Sequence, residues 1–246
     1  MKIAVVTGSS YGLGSSISKL LLDNDFKVYG VSRSEPSIKN SNFVWIKADL
    51  LNDNDLKKVI NIMREEKIDL LVNNAGTAIL ESSLNLTDKN FDLTFNLNFK
   101  TPIRLTTLLK EKLDGGLIIN ISSNSDRFAQ KDYGLYSASK AALNIYFDTV
   151  AVENKNIKIF SLLPSYIDTP LQHKLNDNGN DIEFTWDMAM DSDKVAESIL
   201  KLFENKDNYP TSSKIMVVSN KLIDDTEDPE KLWYYNIDIE EFKKLK

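Results

Sequence analysis

The 246-residue chain contains no cysteine, which excludes disulfides, thiol catalysis and thiolate-bound zinc. Histidine occurs once, at His173. No His pair therefore exists for a transition-metal site, and no motif offers the histidine that a Ser-His-Asp triad needs. A carboxylate-held Mg²⁺ is the metal chemistry that the composition leaves open. No apolar run approaches the ~18 residues of a membrane-spanning helix. The short run after Lys2 is cut off by Thr7 and Gly8, too early for a signal peptide. Like charges never run together at length, and the net charge of −6 is spread over both signs. These absences argue against nucleic-acid and membrane partners and imply a cytoplasmic protein.

Hydrophobic residues make up 42% and charged residues 27%, ordinary values for a soluble domain with a real core. Ile3–Thr7, Lys27–Ser32, Phe43–Ala48, Asp69–Asn73, Leu117–Ser122, 157–163 and 214–218 are short apolar stretches that read as buried parallel strands. Helical spacing marks 13–24, 54–67, 87–113, 135–153 and 192–204. Strand and helix alternate without repeats or a linker. The order predicts one α/β domain over 1–246, a doubly wound parallel sheet of seven strands flanked by helices on both faces. Two stretches break the rhythm. Residues 165–190, with scattered Pro, Gly, Asn and Asp, read as a mobile substrate loop or lid. The acidic tail 222–246 carries a Leu-Trp-Tyr-Tyr cluster and reads as a surface-packed segment ending in a short helix.

Ligands of such sheets bind at the carboxyl ends of the strands. The first such end is Gly8-Ser9-Ser10-Tyr11-Gly12-Leu13-Gly14. Gly8 can turn sharply off the strand, Gly12 lets a pyrophosphate approach the backbone, and Gly14 lets the helix lie close. The spacing is not the standard G-x-G-x-x-G. The second strand ends in Ser32-Arg33, where an NAD-selective protein places a carboxylate for the ribose hydroxyl. A guanidinium there suits a 2′-phosphate, so the cofactor expected is NADP(H) rather than NAD(H). Farther on, Tyr136 and Lys140 stand four apart on one helix, where an ammonium can lower a phenol pKa from ~10. Ser123, at the end of a strand, offers a hydroxyl to a substrate carbonyl.

Thr7-Gly-Ser-Ser-Tyr-Gly-Leu-Gly14, Asp49, Asn73-Asn-Ala-Gly76, Asn98, Ser123 and Tyr136-x-x-x-Lys140, in this order, resemble the short-chain dehydrogenase/reductase family, a Rossmann-type fold. Pro164-Ser-Tyr-Ile-Asp-Thr169 is similar to its later Pro-Gly segment, with Ser165 replacing the usual Gly. The resemblance implies an NADP(H)-dependent oxidoreductase that interconverts a small carbonyl substrate and its alcohol. It gives Tyr136 the proton transfer, Ser123 the hydrogen bond to the same oxygen, Lys140 the ribose hydroxyls and the phenol pKa, and Asn98 a relay water. Asp49 and Leu50 would flank the adenine, Asn74, Ala75 and Gly76 would line the cofactor, and Ile167 and Thr169 would meet the carboxamide. Asp49 could instead cap the next helix, Asn96 competes with Asn98, and Ser122 with Ser123.

The resemblance also implies a homodimer or homotetramer through 97–113 and 135–153. The final strand lacks the usual Gly-Gly, which puts a tetramer contact there in doubt. Asp126, Arg127, Phe128, Tyr166 and the 165–190 loop are expected to bound the substrate. A dinucleotide-sensing regulatory protein on the same fold is the alternative, although it has no need of Tyr136 and Lys140; a methyltransferase is a third reading.

Overall fold

The computed structural model describes residues 1–63, 66–177, 185–218 and 233–244. Its seven expected strands are β1 (Lys2–Thr7), β2 (Phe26–Ser32), β3 (Phe43–Lys47), β4 (Leu70–Asn73), β5 (Leu117–Ile121), β6 (Lys158–Pro164) and β7 (Ser213–Val218). They pair in parallel in the order β3-β2-β1-β4-β5-β6-β7. Every residue of β4 and β5 is buried, as a strand covered on both faces requires. Helices α1 (Gly12–Asp23) and α7 (Ser192–Glu204) cover one face through Ile17, Leu21, Val195 and Ile199. Helices α2 (Asp53–Ile62), α4 (Thr101–Leu109) and α5 (Gly134–Glu153) cover the other through Leu56, Leu105, Leu143 and Phe147.

Four expectations are corrected. The long helix over 87–113 is α3 (Asp88–Phe95), a π-helical turn at Asn96–Lys100, and α4. A π turn preserves the aromatic spacing that suggested one helix: Phe91 stacks on Phe95 at 4.6 Å, and Phe95 meets Phe99 edge-on at 6.2 Å. Helix α2 stops at Ile62, and residues 66 and 67 lie outside it. The 165–190 stretch contains α6 (Pro170–Asp177), opened by a proline that needs no N–H at a helix start. Its two flanks are joined by Asp168 N–H to Met190 O (2.9 Å) and Met190 N–H to Tyr166 O (2.9 Å). Residues 178–184 of this stretch lie outside the described residues.

The C-terminal tail is not helical where it is described. β8 (Trp233–Asn236) adds to β7 in parallel, and β9 (Glu241–Lys244) closes the sheet antiparallel. The three consecutive aromatics Trp233-Tyr234-Tyr235 favour a strand. Tyr235 is fully buried against Phe242 at 4.8 Å and takes a hydrogen bond from Lys201 Nζ at 2.9 Å. The outer side of β7 is thereby covered by the chain's own residues. Most of the remaining tail, 219–232, lies outside the described residues. Among those described, no helix is long and apolar enough to cross a membrane, and no cluster of His, Asp and Glu could hold a metal ion.

Candidate active site

The strand order reverses between β1 and β4, and the loops leaving these two strands are tied together there. Thr7 Oγ1 donates to Val72 O (3.3 Å) and accepts from the N–H groups of Asn74 and Ala75, both at 2.9 Å. Asn74 Nδ2 returns a hydrogen bond to Thr7 O at 2.8 Å. A cavity of about 500 Å³ opens at this switch point, the place where doubly wound sheets take their ligands.

The glycine-rich loop forms one wall. Gly8 and Gly12 have φ of +70° and +56°, conformations that side chains disfavour. A Cβ on Gly14 would stand 2.2 Å from Gly8 O and 2.5 Å from Asn74 Nδ2, so α1 can approach β1 only without one. Helix α1 begins after Tyr11, with no side chain capping it and no acid in its first turn. Its first N–H groups are left for an anion, where the helix dipole is positive. Gly8, Ser10, Tyr11, Gly12, Leu13 and Gly14 all line the cavity. Ser9 does not: it is fully buried, its hydroxyl turned towards Gly30 behind the loop. Gly14→Ala is expected to displace this loop and abolish dinucleotide binding, measured by fluorescence titration, because backbone atoms cannot yield to the added methyl.

Ser32, Arg33, Asp49 and Leu50 line the side nearest β2 and β3. Trp45 Nε1 donates to Ser32 Oγ at 3.1 Å and fixes that strand end. Arg33 is exposed and has no hydrogen-bond or ion-pair partner among the described residues. Asp49 is not the cap of α2. Asn52 is, accepting from the N–H groups of Asn54 and Asp55. Asp49 instead accepts from Leu51 N–H at 3.0 Å and remains on the cavity wall. Asn74, Ala75 and Gly76 line the centre, and Ile167 and Thr169 the opposite lip, where Thr169 would lie 3.3 Å from a Cβ on Gly12.

At the far end, Tyr136 and Ser123 both line the cavity, with the Ser123 hydroxyl near the Tyr136 phenol. Burial raises the Tyr136 pKa above the usual phenol value, and the Ser123 hydroxyl pulls it partly back. The expected lowering by Lys140 is therefore not what dominates here. Lys140 Nζ lies 5.7 Å from the Tyr136 ring centroid and donates to Ile121 O at 2.8 Å. Burial lowers its own pKa to about 8. Ser122 lines the cavity too, but its buried hydroxyl has no partner.

Asn98 and Lys140 stand behind Gly76, where a Cβ would come within 3.2 Å of Asn98 Oδ1 and 3.6 Å of Lys140 Nζ. The Asn98 side chain accepts from Thr77 N–H (2.8 Å) and donates to Thr77 O (2.8 Å) and Ser139 Oγ (3.0 Å). Both its N–H groups are used, and Ser139 in turn donates to Tyr136 O at 2.7 Å. Asn98 thus braces the Tyr136 turn through its side chain, whereas Asn96 is half-exposed. Thr7, Thr77 and Ser139 were not singled out by sequence, since small hydroxylated residues carry no distinctive spacing. Asp126 does not bound the cavity. It binds Asn144 and Arg127 instead.

Residues 2–180 match the family described as short chain dehydrogenase. The protein belongs to that family. Like its other members it is an oxidoreductase. The uncharacterized oxidoreductase YIR035C of Saccharomyces cerevisiae is 33% identical over 190 residues, 72% of this chain and 75% of its own. Its crystal structure superposes with a TM-score of 0.78, at 26% identity, over 88% of this chain and 96% of that one. The NAD-dependent glycerol dehydrogenase of Listeria innocua is 28% identical over 70% of this chain and 73% of its own. The (S)-benzoin-forming benzil reductase of Bacillus cereus is 28% identical over 75% and 83%.

Proposed function

We propose that the chain is a cytoplasmic NADP(H)-dependent reductase of small carbonyl compounds with Tyr136 as its proton donor. The observation that carries this reading is the placement of Tyr136 and Ser123 together on the cavity wall, with the Lys140 ammonium beside the same ring. The cavity suits a dinucleotide: a free helix N-terminus, two glycines at positive φ and a loop with no room for a Cβ at Gly14. Gly8, Ser10 to Gly14, Asp49, Leu50, Asn74 to Gly76, Ile167 and Thr169 would hold it, with Lys140 towards the ribose. Ser9 would contribute from behind the loop. The reduced nicotinamide, when bound, supplies the hydride.

The chain's own residues manage the oxygen. Ser123 and Tyr136 line the same cavity, so a carbonyl oxygen held between them would meet both hydroxyls. Tyr136 is held protonated by burial, the form required to donate. As the proton leaves, the adjacent Lys140 ammonium stabilises the phenolate. The braced Asn98 side chain has no N–H left for a relay water, and Asn98–Ser139 keeps the Tyr136 turn in place. Two relatives support the substrate class, since one is named for reducing benzil, a diketone, and the other for dehydrogenating glycerol, a polyol. Steady consumption of NADPH on adding benzil or other small ketones is the test; failure across a broad panel would remove the reading.

Arg33 is the basis for NADP(H) over NAD(H). An exposed guanidinium on the cavity wall is available to a 2′-phosphate. Arg33→Ala is expected to weaken NADPH about ten- to a hundred-fold, the worth of a charge-assisted hydrogen bond, and to leave NADH unchanged. Equal loss for both, in a fluorescence titration, would make Arg33 a bystander. Homo-oligomerisation through α4 and α5 is part of the proposal. It is supported by the exposed apolar side chains Leu108, Ile145, Tyr146 and Val152 on these helices.

A further inference from the structure

Asp126 is a buried carboxylate that the chemistry above does not use. Its side chain is only 7% exposed, and burial raises its pKa against the pull of its partners. Ionised groups are costly to bury, so a specific geometry is the usual return. Asp126 ends the short 3-10 turn Asn124–Asp126 that follows Ser123. It is not needed to cap that turn, because Ser123 Oγ already accepts the Ser125 N–H at 3.1 Å. Asp126 instead reaches outward. Its Oδ2 accepts from Asn144 Nδ2 at 2.7 Å, and its Oδ1 from Arg127 Nε at 3.1 Å.

Asn144 lies on the helix that carries Tyr136 and Lys140. The three stand at successive steps of four residues, on one face of α5. The turn bearing Ser123 is therefore tied to α5 through Asp126 to Asn144, with Asp126 N–H to Ser123 O (3.2 Å) closing the turn between Asp126 and Ser123. The Ser123 hydroxyl near the Tyr136 phenol is a weak tether by itself. The Asp126 attachment removes the freedom of the turn to slide or tilt. The other charges facing Asp126 are Arg127 on its own turn and Lys214 on β7, which pairs with Asp148 of α5 at 2.8 Å.

We propose that Asp126 is a positioning residue that, through Asn144, holds Ser123 in register with Tyr136. This rests on the roles given to those two residues above. In the full chain, Asp126→Ala is expected to lower kcat for benzil with NADPH about ten- to a hundred-fold, the cost of a small misplacement, with the NADPH Kd unchanged. The Tyr136 phenol, followed by ultraviolet difference titration against Tyr136→Phe, should titrate at higher pH once the Ser123 hydroxyl is displaced from it. The exchange Asp126→Asn with Asn144→Asp reverses the clamp's polarity and should restore both properties. Should Asp126→Ala not fold, Asn144→Ala, which removes the donor and leaves Asp126 its Arg127 partner, takes its place in the same comparison. A folded single variant with wild-type kcat and wild-type phenol titration would overturn the inference, as would an exchange that restores neither. A shifted phenol titration in a protein that reduces no carbonyl would uphold the clamp and sink the reductase reading.

Discussion

Tyr136→Phe is expected to lower kcat for carbonyl reduction by about 10²- to 10⁴-fold, the usual contribution of a positioned general acid, while NADPH binds as before. The substitution removes one oxygen and leaves the ring. The edge-on contact with Tyr133 at 6.1 Å and the Ser139 bond to the Tyr136 carbonyl do not involve the hydroxyl, so the helix turn persists. Ser123 still accepts the Ser125 N–H and can turn its one hydroxyl hydrogen from Ser125 Oγ to a carbonyl oxygen. What disappears is the proton. The loss should therefore fall on kcat rather than KM, because substrate binding is shared with the rest of the cavity. Near wild-type turnover by this variant would take the central role from Tyr136.

Lys140→Met should separate stability from activity. In the folded protein the Lys140 pKa is lowered to about 8 from an ordinary 10.5, with burial as the cause. The direction means that the charged form is disfavoured by folding. Below about pH 8 the ammonium is charged in both states and the folded protein carries the full penalty. Between about 8 and 10.5 the unfolded chain binds more protons, so this contribution to stability improves as pH rises. The 2.5-unit difference between those two values corresponds to about 3 kcal/mol. Losing the hydrogen bond to Ile121 O costs about 1 kcal/mol in return. The variant should thus be stabilised by about 2 kcal/mol at pH 7, an advantage that disappears above pH ~10. Carbonyl reduction should fall at the same time, since no cation then faces the developing phenolate. Denaturant melts across pH, compared with wild type, check the first part. A pH-independent difference would show that folding does not lower the Lys140 pKa, contradicting this account.

How much of this was legible in the sequence depends on the kind of signal. The seven strands announced themselves because parallel strands covered on both faces read as unbroken apolar runs, Leu70–Val72 and Leu117–Ile119 among them. The loop from Gly8 to Gly14 was legible because close backbone approach leaves a glycine signature, and Gly14 has no room for any other residue. The tail was not. Its acidic composition suggested a surface segment, and the pairing of β8 with β7 depends on tertiary contacts such as that between Tyr235 and Phe242. Helix α6 was hidden by residues that usually mark turns. The π turn at Asn96–Lys100 keeps helical side-chain spacing and leaves no trace in it.

At the site, Tyr136, Lys140 and Ser123 were found through spacing, and the folded chain brings them to one end of the cavity. Asp126 was expected at the substrate pocket because it follows Ser123 closely in the chain, but its carboxylate turns to Asn144 and Arg127. Only the three-dimensional position of Asn144 reveals where its carboxylate goes. The engagement of both Asn98 amide hydrogens was equally invisible, as it depends on Thr77 and Ser139 lying within reach.

Hydride transfer itself can be followed with NADPH deuterated at its transferable position, mixed with the protein and benzil, and the alcohol product analysed by mass spectrometry. The account predicts an alcohol with deuterium on the carbinol carbon, formed by wild type and not measurably by Tyr136→Phe on the same time scale. NADPH that binds without yielding labelled alcohol from benzil or any of the carbonyl panel would contradict it, and would leave a dinucleotide-sensing protein as the reading that fits the fold.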